Sequence, residues 1–92
     1  MISTAIARAH TMLALHDLSA ARRYYELAAN AGSADAALEL GKTYDPTSMV
    51  RSGAVSAQSD GLIAAEWYRK AVVLGSGEAD VALRNLSRQQ AE

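Results

Sequence analysis

A chain of 92 residues is long enough for one small domain and too short for two. It contains 20 alanines, one tryptophan, four tyrosines and no phenylalanine, so its core has to come from closely packed helices rather than from large side chains. Nine basic and ten acidic residues leave a net charge of −1, which disfavours sequence-independent binding to nucleic-acid phosphates because such binding requires a basic stripe. The absence of cysteine excludes a disulfide framework, thiolate chemistry and zinc sites built on cysteine.

Apolar residues follow a period of 3.6 along most of the chain, which predicts amphipathic α-helices rather than strands. In the second apolar segment, one face carries Leu18, Ala21, Tyr25 and Ala28, which follow one another at steps of three, four and three residues. Five helices are predicted in this way, and they span residues 2–16, 18–31, 34–44, 61–74 and 77–90.

The first of these segments is apolar, as a signal peptide would be, but it has no basic leading region. Arg8 and His10 also interrupt the stretch that should be hydrophobic. We therefore interpret it as a helix of the fold. No apolar run approaches the roughly 20 residues that span a bilayer, so no membrane span is predicted and a cytoplasmic location is the default expectation.

The helix boundaries carry residues that suit helix ends. Asp17, Ser33, Asp60 and Ser76 are predicted N-caps, because their side-chain oxygens can accept hydrogen bonds from the free N–H groups of a first turn. Gly32 and Gly75 are suited to the left-handed residue that closes a helix.

A long connection, residues 45–60, interrupts the helical pattern. Asp45 and Pro46 can cap and begin a short helical turn, because proline is tolerated at the first helical position. A connection of this length is often functional or forms an Ω-loop, whereas the simpler interpretation is that it only joins two antiparallel helices. The residues expected to hold it against the domain are Met49, Val50 and Val55.

The chain also repeats itself at an offset of 43 residues, and a period of this size is typical of helical-repeat proteins. The first copy contributes Asp17, Ala21, Tyr24, Tyr25, Ala28, Gly32, Ser33, Asp35, Ala36 and Leu40. Their matches in the second copy are Asp60, Ala64, Trp67, Tyr68, Ala71, Gly75, Ser76, Glu78, Ala79 and Leu83.

These copies resemble the SEL-one-like branch of the tetratricopeptide-like (TPR-like) repeats. Residues 64–71, with Gly75 and Ala79, follow the pattern A–x–x–W–Y–x–K–A…G–x–x–x–A, and residues 21–29 form a second copy. Leu40-Gly41-Lys42-Thr43-Tyr44 matches the element L–G–x–x–Y of the partner helix. The first helix departs from that element, since it has Arg8-Ala9 in place of Leu-Gly and Met12 in place of Tyr.

The resemblance implies an all-α superhelix, or solenoid, of about five antiparallel helices in a single domain over residues 1–92. In such repeats the first helix of each pair lines a concave groove, which here means the helices 2–16, 34–44 and 77–90. Their faces that point away from the packing stripes supply the candidate partner-binding residues, together with Ala7: His10, Ala14, Glu39, Lys42, Asn85 and Arg88.

No motif predicts an enzyme, a cofactor or a metal. His10 and His16 lie about 240° apart around one helix and cannot chelate a metal ion together. Gly75-Ser76-Gly77 follows a helix rather than a strand, so it predicts a helix-to-helix turn and not a phosphate-binding loop.

The resemblance therefore implies an adaptor that binds a protein or peptide partner. Self-association, or an origin at the carboxyl end of a longer repeat protein, stays open, because the first helix has an apolar face without a partner. That face predicts a homodimer through the first helix. A nucleic-acid-binding helical repeat is disfavoured by the charge and by the lack of stacking aromatics on the groove.

Overall fold

The structure is a computed structural model that describes residues 2–47 and 59–91. Within those segments the chain forms five α-helices and no strand, so the predicted all-α class is confirmed. The helices are α1 (Ile2–Ala14), α2 (Leu18–Asn30), α3 (Ala34–Tyr44), α4 (Gly61–Val73) and α5 (Gly77–Ala91).

Each helix packs mainly against its neighbours in the chain: α1 on α2, α2 on α3, α3 on α4 and α4 on α5. Only three residues separate α1 from α2, α2 from α3 and α4 from α5. Turns this short leave no room for a crossover, so these packed neighbours run antiparallel. The result is a flat stack with principal extents of 39 × 28 × 16 Å.

The predicted N-caps are confirmed. The side chain of Asp17 accepts a hydrogen bond from the N–H of Ala20 at 3.1 Å, and that of Ser33 accepts one from Ala36 at 3.1 Å. Asp60 accepts from the first turn of α4 and Ser76 from the first turn of α5. These bonds satisfy N–H groups that a helix cannot pair internally, which is why four helix starts were readable from the sequence.

Three helices end in the same way. Gly32 and Gly75 adopt the left-handed conformation, with φ of 106° and 110°. His16 takes this role at the end of α1 with φ of 61°, and the N–H of Asp17 then donates to the carbonyl of Met12 at 2.8 Å. α1 thus ends at Ala14, two residues before the end expected near residue 16, because histidine is not a residue type that signals a left-handed position as glycine does.

The buried residues follow the internal repeat. Tyr25 is 0% exposed and its match Tyr68 is 1% exposed. The small residues beside them, Ala21, Ala28, Ala64 and Ala71, are also buried. Alanines let the helix axes approach closely, and the tyrosine rings fill the space between neighbouring helices. The core predicted from the two repeat copies is thus confirmed.

Gly41 on α3 lies directly against the ring of Tyr68 on α4. A Cβ atom built there would lie 2.6 Å from two ring carbons of Tyr68. We expect Gly41→Ala to lower the free energy of unfolding by about 1–3 kcal/mol, because the overpacked ring cannot move away without opening the core. Urea unfolding followed by circular dichroism measures this.

Gly77→Ala is the matched control for this prediction. A Cβ at Gly77, in the first turn of α5, would meet nothing within 4 Å. Alanine is the better helix former, so this variant should be neutral or stabilised by up to about 1 kcal/mol. If Gly41→Ala were stabilised to the same extent, the close approach of α3 to the Tyr68 ring would be refuted.

The described ends of the 45–60 connection meet. The N–H of Asp60 donates to the carbonyl of Tyr44 at 2.8 Å. Asp45 accepts from the N–H of Thr47 at 2.8 Å, and Pro46 and Thr47 are helical, so the predicted short turn does begin here. Residues 48–58, which include the predicted contacts of Met49, Val50 and Val55, lie outside the described part of the chain.

Candidate functional site

The candidate residues on α3 and α5 come together. Lys42 of α3 and Asn85 of α5 line the same cavity of about 220 Å³, and Glu39 lies one turn before Lys42. The other lining residues come from α4, α5 and the start of the connection: Asp45, Thr47, Tyr68, Glu78, Val81 and Ala82. We call this set of residues the α3–α5 pocket.

Lys42 is held between two carboxylates. Its amino group lies 3.4 Å from the Glu39 carboxylate on the same helix and 3.0 Å from the Glu78 carboxylate on α5. Burial by itself would lower the pKa of Lys42, but the hydrogen bonds and negative charges of Glu78 and Glu39 outweigh it and raise the pKa. Lys42 therefore stays charged and fixes the first turn of α5 to α3.

Tyr68 and Asp45 form the buried wall of the pocket. The Tyr68 hydroxyl donates to Asp45 Oδ2 at 2.7 Å. Burial, and then the hydrogen bond and charge of Asp45, raise the pKa of Tyr68. Asp45 also accepts from the N–H of Thr47, so both of its carboxylate oxygens are used. The arrangement keeps the phenol protonated and ties α4 to the end of α3.

The rim of the pocket is closed by a contact between the connection and α5. The Thr47 hydroxyl donates to the side-chain oxygen of Gln89. Val81 and Ala82 supply an apolar patch on α5 beside Asn85. The pocket thus offers hydrogen-bond donors, carboxylate acceptors and a small apolar surface to anything that enters it.

His10 of α1 lies outside the α3–α5 pocket and contacts α2. Its ring meets the ring of Tyr25 edge-on, with centroids 5.8 Å apart. Burial and the nearby charge of Glu39 raise the pKa of Tyr25 to about 12. The negative charge of Glu39 therefore acts both on the hydroxyl of Tyr25, the α2 residue whose ring His10 of α1 contacts, and on Lys42 in the α3–α5 pocket.

The Tyr25 hydroxyl differs from that of its repeat match. It is buried and finds no hydrogen-bond partner among residues 2–47 and 59–91. The repeat explains the difference: when Arg8-Ala9 is aligned with Leu40-Gly41, Leu13 occupies the place of Asp45. The carboxylate that accepts from Tyr68 thus has no counterpart on α1.

Of the six predicted site residues, only Lys42 and Asn85 line the pocket, whereas Glu39 lies beside it and His10, Ala14 and Arg88 lie outside it. Ala14 is exposed at the last position of α1, and Arg88 is exposed on α5, three residues after Asn85. Sequence reasoning also missed several pocket residues. Tyr68 was predicted as core only, Asp45 as a cap only, and Glu78 was noted only as the repeat match of Asp35.

The side chains in and beside the pocket can both donate and accept hydrogen bonds. Lys42 and Asn85 can donate hydrogen bonds, and Glu39 and Glu78 can accept them, so both the N–H and C=O groups of a peptide could be paired. In the part of the chain that the structure describes, no group of three or more histidine, aspartate or glutamate side chains is arranged to hold a metal ion. Nor is any described helix long and apolar enough to cross a membrane.

Comparisons with known proteins add no further constraint. No protein-family model, no curated protein and no solved structure matches this chain.

Proposed function

We propose that this protein is a non-catalytic protein–protein interaction module, built as a SEL-one-like (TPR-like) helical-repeat superhelix, that binds a peptide or protein partner. The partner lies across the same side of α1, α3 and α5, over the α3–α5 pocket. The resemblance of residues 21–44 and 64–79 to the repeat motifs, and the equivalent burial of Tyr25 and Tyr68, support the scaffold.

The proposal rests on one observation: side chains from two helices come together around Lys42. Three residues from two helices, Lys42, Glu78 and Asn85, line one cavity although Lys42 lies at least 36 positions from the two α5 residues in the sequence. A rigid set of donors and acceptors is what orients a partner, while apolar contact supplies most of the affinity. Here the apolar contact comes from Val81 and Ala82.

Replacing Lys42 with glutamate is expected to weaken partner binding by at least about tenfold, which corresponds to about 1.4 kcal/mol. The new carboxylate would stand beside those of Glu39 and Glu78, so the pocket would lose its cation and carry three like charges. Partners captured by the intact protein are quantified by affinity precipitation and mass spectrometry, and then titrated directly.

Arg69→Glu is the matched control for Lys42→Glu. Arg69 is exposed on α4, outside the α3–α5 pocket, and the substitution makes the same change in charge. A second pocket variant, Asn85→Ala, removes a donor without changing the charge. If both pocket variants retain the partners as well as Arg69→Glu does, the binding surface has been placed wrongly even though the fold is right.

Self-association is the second candidate, and one observation favours it. Leu13 and Leu15, near the turn between α1 and α2, are large apolar residues that the rest of the described chain leaves exposed. The homodimer through the first helix stays a prediction. Size-exclusion chromatography with light scattering tests it, and a folded monomer at high concentration would exclude it.

A further inference from the structure

A second surface, separate from the α3–α5 pocket, lies on the outer side of the first helical hairpin. It is a groove of about 410 Å³ between α1 and α2. Leu27, which is 58% exposed, is one of its walls. The lining residues are Met12, Ala20, Arg23, Tyr24 and Leu27, and we call them the α1–α2 groove.

The internal repeat shows what such a groove accommodates. When Arg8-Ala9 is aligned with Leu40-Gly41, Met12 corresponds to Tyr44, and the 43-residue offset makes Leu27 correspond to Lys70. Tyr44 and Lys70 therefore identify the equivalent position on the second hairpin, which α3 and α4 form.

That second place is occupied by a helix of this chain, α2. The Arg22 guanidinium lies 3.7 Å from the centre of the Tyr44 ring. Two turns further along α2, Asn30 accepts a hydrogen bond from the Lys70 amino group at 2.9 Å. The α1–α2 groove thus lies at the position where the second hairpin contacts a helix of this chain, and the described chain supplies no helix to it.

A second copy of the chain cannot fill the seat by continuing the stack. Within this chain, α2 packs beside α3. If the α4 of one copy filled the α1–α2 groove of a second copy in the same way, the α1 of the second copy would have to pack beside that α4. That place beside α4 is already taken by α5, whose first half matches α3 at the 43-residue offset.

The charges around the groove indicate the chemistry of the occupant. Arg23 lines the groove, and Arg8 lies one turn before Met12 on the same side of α1. None of the ion pairs between described residues involves Arg8 or Arg23. Two copies that met face to face through this groove would oppose these positive charges, whereas an acidic partner would neutralise them.

We propose that the α1–α2 groove binds a single amphipathic helix of another protein, with an apolar stripe flanked by acidic residues. The stripe, at helical spacing i, i+3, i+7, packs on Met12, Tyr24 and Leu27. The carboxylates beside the stripe pair with Arg23 and Arg8. This surface lies outside the α3–α5 pocket and does not depend on it.

The test uses the whole protein and two labelled helical peptides of about 18 residues, long enough to hold helical structure in water. Both peptides carry the same leucine stripe, flanked by glutamate in one and by lysine in the other. Fluorescence anisotropy should show that the glutamate peptide binds at least about tenfold more tightly. Arg23→Glu should reverse this preference.

Variants then locate the binding. Leu27→Asp should abolish binding of the glutamate peptide, while Val73→Asp, at an 85% exposed position on α4, should leave it unchanged. Lys42→Glu should also leave it unchanged, which separates this surface from the proposed partner-binding side. Equal affinity for the two peptides, no binding at millimolar concentration, or a homodimer that Leu27→Asp dissociates would each overturn the proposal.

Discussion

Replacing Tyr68 with alanine is expected to lower the free energy of unfolding by about 3–5 kcal/mol, the largest effect of any single substitution proposed for this chain. The ring is 1% exposed and packs directly on Gly41. Its loss removes apolar contact and leaves a cavity between α3 and α4 that the rigid helices cannot close. Urea unfolding monitored by helical circular dichroism measures the loss.

The hydroxyl and the ring of Tyr68 can be separated by comparing two Tyr→Phe variants. Tyr68→Phe keeps the ring but leaves the buried Asp45 Oδ2 without its donor, at a cost of about 1–3 kcal/mol. Tyr25→Phe is the control, because the Tyr25 hydroxyl is buried without a partner in the described structure and its removal should be neutral or slightly stabilising. Equal losses in both variants would contradict the difference between the two repeat copies.

The second large effect is expected at alkaline pH. A tyrosine in an unfolded chain has a pKa of about 10. Burial raises the pKa of Tyr25 to about 12 in the folded state, and burial together with the bond to Asp45 raises that of Tyr68 as well. Between these values the unfolded state has released protons that the folded state still holds, so stability falls as pH rises.

For each of the two tyrosines the slope approaches about 1.4 kcal/mol per pH unit between the two pKa values and is smaller near either one, so together they lose up to about 4 kcal/mol between pH 10 and pH 12. The raised pKa of Lys42 acts in the same direction, because the folded state retains that proton above pH 10.5 as well. A loss of this size is comparable with the whole stability of a small domain. We therefore expect cooperative unfolding in this pH range.

Tyrosinate absorbance and helical circular dichroism, recorded on the same samples, test this expectation. Part of the tyrosinate signal should appear only as the helices are lost. Tyr25→Phe should shift the alkaline unfolding midpoint upwards, since it removes one of the groups that drives unfolding. Complete ionisation of all four tyrosines with unchanged helix content would show that Tyr25 and Tyr68 are not held in the core.

Much of the fold could be predicted because its signals are local. A side-chain oxygen at Asp17, Ser33, Asp60 or Ser76 bonds to N–H groups two or three residues away, so the helix starts are visible in a short window of sequence. Gly32 and Gly75 mark two helix ends for a similar reason. The end of α1 was missed because His16 takes the left-handed conformation without the residue type that signals it.

The candidate site was predicted only in part. Helical spacing and the groove that the family resemblance implies placed Glu39, Lys42 and Asn85 on one side of their helices, and in the structure Lys42 and Asn85 line the same cavity. Spacing along one helix says nothing about distances between helices, however. Ala14 and Arg88 were therefore included although they lie outside the pocket.

By itself the sequence determined the five helices, the 43-residue repeat and the buried alanines and tyrosines, since periodicity and capping act within a few turns of one helix. Only the tertiary structure decided that Lys42 lies between Glu39 and Glu78, that Tyr68 donates to Asp45 while Tyr25 has no such acceptor among the described residues, and that a groove is left open beside Leu27. These contacts join residues from different helices. They depend on how deeply each tyrosine ring inserts between neighbouring helices and on the close approach of α3 to α4 at Gly41. Neither feature is encoded by a pattern within one helix.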